Sequence, residues 1–184
     1  MIVKTAFPPI RFPSASFQRV PGTLWVVLVA LVIYATVSFL ILAAHPEAEP
    51  RFRLSFDPLL AASVTTQIHV AAAMSALFIG SAILLAPKGL RFHKMMGWAW
   101  VAAMMVTAIS SFFLTGLMGS SLSPIHALSA WTMIAAPFGI AAIRRRDIRQ
   151  HRQSMTGMFI GALVIAGLFS FLPGRLMWSM VFAA

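Results

Sequence analysis

The sequence predicts an all-α integral membrane protein, a helical bundle with five transmembrane helices. Of its 184 residues, 60% are hydrophobic and only 10% are charged, and the mean hydropathy is +0.89. A soluble domain carries about 25% charged residues, and a core of this size cannot enclose so many apolar side chains. The apolar residues also gather in runs of about 20, the length that crosses a bilayer as a helix. The solvent for most of this chain is therefore lipid.

Five apolar runs divide the chain into its predicted parts. The predicted spans are Leu24–Ala44, Leu59–Ala86, Met95–Met118, Ile125–Ile143 and Met155–Leu172. We expect Pro137 to kink the fourth helix and the pair Pro173-Gly174 to end the fifth. The remaining parts are a Pro-rich N-terminal arm (1–23), a loop (45–58), a four-helix core (59–172) and an interfacial tail (173–184) anchored by Trp178.

The basic residues predict the orientation of the spans. Eleven of them share one side, namely Lys4, Arg11, Arg19, Lys88, Arg91, Lys94, Arg144, Arg145, Arg146, Arg149 and Arg152, and only Arg51, Arg53 and Arg175 lie on the other. The positive-inside rule then places the N-terminus in the cytoplasm and the C-terminus in the periplasm of a bacterial inner membrane. The net charge of +10 favours anionic lipids at the cytoplasmic face and, because it flanks apolar runs, does not indicate nucleic-acid binding.

The four-helix core resembles two copies of one helical hairpin, 59–118 and 125–172. Ile68-His69 and Ile125-His126 each open a helix, and each helix is followed by a basic loop. His93-Lys94 and His151-Arg152 then precede the return helices, with Met and Gly just after them. Parallel copies of this kind are related by an axis along the membrane normal.

The repeat places four histidines at two depths. His69 and His126 are expected near the outer boundary, and His93 and His151 near the cytoplasmic one, roughly 25–30 Å apart at 1.5 Å per residue. Each pair has the residue type for axial ligation of a b-type haem, with His69 and His126 as the first choice for a metal. Lys94, Arg152 and Arg175 are candidate partners for the propionates. A porphyrin also needs small residues beside it, and the candidates are Gly80, Gly97, Gly139, Gly157 and Gly161.

Plainer interpretations stay open for the same residues. The histidines are also suited to binding a quinone, to capping a helix or to contacting lipid phosphates, and His45 is interpreted as a surface residue. The twelve methionines suit copper, since thioethers select Cu(I), but also serve as apolar filler. The absence of cysteine excludes Fe–S clusters and thiolate zinc sites. No catalytic residues are assigned, because the spans contain no nucleophile, base and carboxylate together.

Three motifs mark the stretch from His69 onward. They are His93-Lys94-Met95-Met96-Gly97, then Arg146-Asp147-Ile148 with His151-Arg152 and Met155, and finally Pro173-Gly174-Arg175. With these motifs the stretch resembles the family of bacterial membrane proteins catalogued as Domain of Unknown Function 2306. The family more often has Arg at the position of Lys94 and Gly at that of Arg146. The resemblance implies a multi-span inner-membrane protein and no established activity.

A more distant resemblance is to cytochrome-b561-type proteins, in which four helical histidines hold two haems. The order of the histidines along the chain (outer, inner, outer, inner) agrees, but His93 and His151 are expected to precede their helices.

Two functions are the leading hypotheses. The first is electron transfer across the membrane through haem or a quinone, and the second is a non-catalytic accessory subunit of a larger respiratory or photosynthetic membrane complex.

Overall fold

The computed structural model describes residues 22–45, 50–114 and 124–183, and in them the chain is almost entirely helical. The helices, in chain order, are α1 (Gly22–Ala44), α2 (Asp57–Leu60), α3 (Val64–Leu85), α4 (Arg91–Ser111), α5 (Pro124–Arg144), α6 (Ile148–Met158), a π-helical segment (Phe159–Ile165), α7 (Ala166–Ser170) and α8 (Leu176–Val181). Two short strands, β1 (Arg51–Phe52) and β2 (Phe182–Ala183), pair antiparallel. The prediction of an all-α membrane bundle is confirmed.

Local sequence signals explain where the core helices begin. The Ser63 hydroxyl accepts a hydrogen bond from the Thr66 N–H and starts α3, so the predicted second span is split into α2 and α3. The Asp147 carboxylate accepts the Gln150 N–H at 2.9 Å and starts α6. Both are N-caps, which satisfy backbone donors that have no partner inside the helix.

Four of the described helical stretches are long and apolar enough to cross a membrane. They are Leu24–Ala44, Val64–Leu85, Ile125–Arg144 and the continuous stretch Ile148–Ser170. The predicted third span corresponds to α4, which opens with basic residues and closes on Ser110 and Ser111. Residues 115–118 of that predicted span lie outside the described residues. Five spans therefore stay a prediction, to which the Discussion returns.

Two helix starts differ from the prediction and change the position of the inner histidines. Helix α4 starts at Arg91 and α6 at Ile148, so His93 and His151 lie within the first turns of their helices. The expectation that they precede the helices is wrong. The apolar runs predicted only the part of each helix that faces lipid. Each helix extends beyond that part into the polar boundary region of a membrane, where basic side chains reach water.

The four core helices pack as a ring around a buried cluster. Helix α3 packs along α4, α4 along α5 and α5 along α6, and the π-helical segment packs back against α3. The cluster at the centre contains Ala76, Trp100, Met104, Ala136, Met158 and Leu163. Helix α1 lies outside the ring, against the π-helical segment and α7, where the Tyr34 hydroxyl donates to the Phe171 carbonyl at 3.1 Å.

The tail returns to the loop that precedes the core. The Arg53 N–H donates to the Val181 carbonyl at 2.9 Å and the Ser55 N–H to the Met180 carbonyl at 2.8 Å. The Phe182 ring lies 4.2 Å from the Trp178 ring, centroid to centroid. The loop and the tail therefore meet at one end of the bundle, as expected for two segments on the same side of a membrane.

Candidate functional site

A cavity of about 430 Å³ lies inside the bundle, in the half that contains His69. Its walls come from α1, α3, the second half of α4, the first half of α5, and the stretch from the π-helical segment through α7. Met177 of the returning tail also lines it. The volume falls within the range of small-molecule sites, about 300–1,000 Å³, and such sites are mostly apolar with a few polar groups.

The His69 ring has a fixed orientation in this cavity. Its Nδ1 lies 3.1 Å from the Thr107 carbonyl oxygen and 3.0 Å from the Ser110 hydroxyl. Because a carbonyl only accepts, Nδ1 carries the hydrogen and donates it to α4. In the neutral ring the second nitrogen, Nε2, is then an acceptor. Anchoring one ring nitrogen on a backbone carbonyl is also how proteins orient imidazoles that bind metals.

The hydroxyl groups around the cavity use their hydrogens on their own helices. The Thr107 hydroxyl donates to Ala103 at 2.8 Å, Ser129 to Ile125 at 2.9 Å, Thr132 to Leu128 at 2.9 Å and Ser170 to Gly167 at 2.6 Å. All four acceptors are backbone carbonyls. Among the described lining residues, the polar side chains therefore offer acceptor atoms to a ligand and no uncommitted donor.

One wall of the cavity is the π-helical segment. Ala162, Leu163, Val164 and Ile165 line the cavity from it, and α7 continues the same wall. Short π-helical stretches inside α-helices are rare and occur frequently at functional sites. The extra backbone width here moves the wall relative to a regular helix.

His126, the predicted partner of His69, occupies a different setting. Its side chain is buried, and its ring packs at 5.7 Å, centroid to centroid, against the Phe112 ring near the end of α4. It does not belong to the cavity wall as the structure describes it. Both outer histidines therefore contact α4, but only His69 reaches the cavity.

The inner histidines meet at the other end of the bundle. The rings of His93 on α4 and His151 on α6 lie 6.5 Å apart, centroid to centroid, at an angle of 77°. The His151 Nδ1 donates to the Gly139 carbonyl at 2.9 Å, whereas the His93 Nδ1 is buried and has no hydrogen-bond partner. Their contact agrees with the prediction that His93 and His151 lie at the same depth in the membrane.

Comparison with known families adds a family assignment to this geometry. The family model described as "Predicted membrane protein (DUF2306)" matches residues 66–181. The chain belongs to this family. The match covers the ring of core helices except the first two residues of α3, continues through α8, and leaves out α1. No curated protein and no solved structure matches the chain.

The side chains that pack against the glycines near both histidine pairs bear on whether the bundle has room for the predicted haem. A Cβ atom on Gly80 would lie 2.6 Å from Phe159 and 2.7 Å from Trp100, and Gly157 and Gly161 lie under the Trp131 ring. Gly139 is covered by Met155. The glycines expected to face a porphyrin are therefore covered by side chains, with the exception of Gly97, so the packing in this conformation does not fit a porphyrin. Haem b stays a prediction.

The predicted propionate partners lie at two ends of the molecule. Lys94 and Arg152 are exposed in the first turns of α4 and α6, near the inner histidines, and Arg175 precedes α8 at the other end. Within the described residues, no three histidine, cysteine or carboxylate side chains come together as a metal-binding group. The site residues that sequence reasoning missed are Thr107, Ser129 and Thr132. The available signal was the three-residue helical spacing between Thr107 and Ser110 and between Ser129 and Thr132.

Proposed function

We propose that this membrane protein binds a lipophilic molecule with a hydroxyl-bearing ring head, of the quinol class, and takes part in quinone-linked electron transfer at the inner membrane. The single observation that carries the proposal is the hydrogen bond from His69 Nδ1 to the Thr107 carbonyl. It leaves Nε2 of the same ring as the acceptor for a ligand in the cavity.

The hydrogen-bonding character of the cavity favours the reduced form of such a molecule. A quinol has two hydroxyl donors, whereas a quinone has only carbonyl acceptors. Since the lining hydroxyls already donate to backbone carbonyls, a quinone oxygen in the cavity finds no free donor. A buried polar group without a partner costs about 1–3 kcal/mol, which corresponds to roughly tenfold or more in affinity.

The position of the cavity suits a ligand that arrives through the lipid. Val27, Ala30 and Leu31 of α1 line one side of it, and most of the other large apolar side chains of α1 are exposed on the outside of the bundle. The walls are largely aliphatic side chains and methionine. An isoprenoid or alkyl tail can therefore extend from the cavity into the bilayer without passing water.

A pair of probes that differ in one donor tests the proposal. The purified chain in detergent micelles is equilibrated with tritiated 4-nonylphenol or with 4-nonylanisole, its methyl ether, and bound label is counted. We expect the phenol to bind at least about tenfold more tightly, because only the phenol donates to His69 Nε2. Decylubiquinol is likewise expected to bind more tightly than decylubiquinone. Equal binding within each pair would contradict the proposal.

Matched variants locate the binding in the cavity. We expect His69→Leu to abolish the preference for the phenol over its ether, and Ala73→Leu to reduce binding of both, because Ala73 lines the cavity. The control is Ala71→Leu, two residues away on the exposed face of α3. It makes the same chemical change outside the cavity and should bind like the unchanged protein.

A visible absorption spectrum tests the haem prediction separately. Protein from haem-replete cells with a reduced-minus-oxidised α-band of b-type haem, lost in His69→Ala or in His93→Ala, would support haem ligation. A colourless preparation that still prefers the phenol would leave quinol binding as the function and contradict haem b.

A further inference from the structure

We propose that His93 and His151, together with the thioether of Met155, form a binding site for one soft monovalent metal ion, Cu(I), at the cytoplasmic end of the bundle. The site lies at the opposite end from the cavity, and the proposal is independent of quinol binding.

The two rings lie close to the separation that one metal ion between them requires. Two metal–nitrogen bonds of about 2 Å, plus about 1.1 Å from each nitrogen to its ring centre, give at most roughly 6 Å between centroids. The observed value is 6.5 Å, so the rings must move slightly closer together when the ion binds. The rings come from α4 and α6, which lie across the ring of helices from each other, so an ion between them would join two helices of different hairpins.

A metal ion binds the lone pair of a neutral imidazole nitrogen, and each of the two rings has such a nitrogen available. His151 donates from Nδ1 to the Gly139 carbonyl, which leaves Nε2 as its lone-pair atom and fixes the ring. His93 has a buried Nδ1 without a hydrogen-bond partner. A buried polar atom of this kind calls for an explanation, and coordination supplies one.

Met155 supplies the third ligand from α6. It follows His151 by four residues, which puts the two side chains on one helix face, and its Sδ lies 3.7 Å from the position of a Cβ on Gly139. Gly139 is also the residue whose carbonyl holds His151. The histidine and the thioether therefore gather around the same glycine.

The charge of the surroundings selects the class of ion. Lys88 lies close enough to act electrostatically on His93, and Arg91, Lys94 and Arg152 belong to the same first turns of α4 and α6. The acidic residue closest in sequence to His151, Asp147, caps α6 through Gln150. Hard divalent ions prefer carboxylates, whereas imidazole and thioether ligands suit a soft ion. The surrounding positive charges repel a divalent ion about twice as strongly as a monovalent one, because the Coulomb energy scales with the charge.

The experiment is a competition for Cu(I) by the purified full-length chain under anaerobic, reducing conditions, with bicinchoninate as the chromophoric competitor. We expect one Cu(I) per chain and at least a tenfold loss of affinity in His93→Gln and in His151→Gln. Met155→Leu should weaken binding by less. His45→Gln and Met95→Leu are the matched controls, since both residues are exposed, and they should leave the affinity unchanged.

X-ray absorption at the copper edge gives a readout independent of folding. We expect two nitrogen ligands and one sulfur, with the sulfur contribution lost in Met155→Leu. Unchanged stoichiometry and affinity in both histidine variants, equal losses in the controls, or tighter binding of Zn²⁺ than of Cu(I) would each overturn the proposal. Circular dichroism of the variants separates loss of ligation from loss of the bundle.

Discussion

Arg146 has a backbone φ of +64°, in the left-handed region that non-glycine residues rarely adopt. It follows the end of α5. The Asp147 N–H donates to the Ala142 carbonyl and the Arg146 N–H to the Ile143 carbonyl, the hydrogen-bond pattern of a Schellman motif. The motif usually has glycine at this position, which explains in physical terms why Gly is more usual here in the family that the sequence resembles.

Arg146→Gly should therefore stabilise the protein. We expect a gain of about 0.5–1 kcal/mol in the free energy of unfolding, since the left-handed cost of an L-residue is about 1–2 kcal/mol and glycine loses more entropy on folding. The measurement is the midpoint of thermal unfolding in detergent, followed by circular dichroism.

The control is Arg145→Gly at the neighbouring position, which removes the same charge. Arg145 has a negative φ, because among the described non-glycine residues only Arg146 has a positive one. We expect this variant to lose about 0.5–1 kcal/mol. If the two substitutions changed stability in the same direction, charge rather than backbone conformation would be the cause.

Gly80 and Gly97 make another matched pair. A methyl group at Gly80 would meet the Phe159 and Trp100 rings, whereas at Gly97 nothing lies within 4 Å. We expect Gly80→Ala to cost about 1–3 kcal/mol, since bulky buried rings must shift. Gly97→Ala should gain up to about 1 kcal/mol from helix propensity. Thermal unfolding of both variants measures the contrast, and a neutral Gly80→Ala would contradict the packing described here.

For individual residues, the sequence predicted some positions and contacts well and others not at all. Pro173-Gly174 was predicted to end the last core helix, and that helix ends at Ser170, with Gly174 at a φ of +83°. The contact of His93 with His151 followed from the repeat. The separation of His126 from the cavity did not, because a rotation of one side chain around a helix is decided by packing that a repeat does not encode.

Helix boundaries and the π-helical segment belong to the scale of elements. The apolar runs predicted where the long helices lie, but not the break between α2 and α3 or the π-helical turn at Phe159–Ile165. A π-helical stretch has the same composition as the α-helix around it. It forms here where the stretch packs against α3, α5 and α1 together, which is a tertiary cause with no local sequence signal.

Deleting one residue from the π-helical segment tests its role. Removal of Ala162 should convert the segment to a regular α-helix, because a π-helical turn holds about one residue more than an α-helical turn, and α7 then keeps its register. The cavity wall then loses Ala162, and the wall formed by Leu163, Val164 and Ile165 changes its shape. We expect the helical content by circular dichroism to persist and phenol binding to fall at least tenfold. Binding at the original affinity would show that the π-helical geometry is not needed.

For the whole molecule, the pairing of β1 with β2 constrains how the chain crosses the membrane. Hydrogen bonds join Arg53 to Val181 and Ser55 to Met180, so the loop before α3 and the tail after α7 lie on one side. An even number of crossings must then separate them. Among the described residues between them, three helical stretches are long and apolar enough to cross, namely α3, α5 and α6–α7. We infer that α4 is the fourth, which gives five spans with α1.

Single-cysteine labelling tests this topology without background, because the chain contains no cysteine. In intact cells, an impermeant maleimide should label Ser55→Cys, Ser179→Cys and Phe113→Cys, since Ser179 and Phe113 are exposed and Ser55 is half-buried. Lys88→Cys and Arg149→Cys should react only after permeabilisation, since the positive-inside rule predicts that the basic loops face the cytoplasm. The decisive comparison is Lys88 with Phe113, at the two ends of α4. If they label from the same side, α4 does not cross, and if every site shows the opposite pattern, the N-terminus is periplasmic. Opposite sides for Ser55 and Ser179 would instead contradict the pairing of the loop with the tail, on which the inference of the fourth crossing depends.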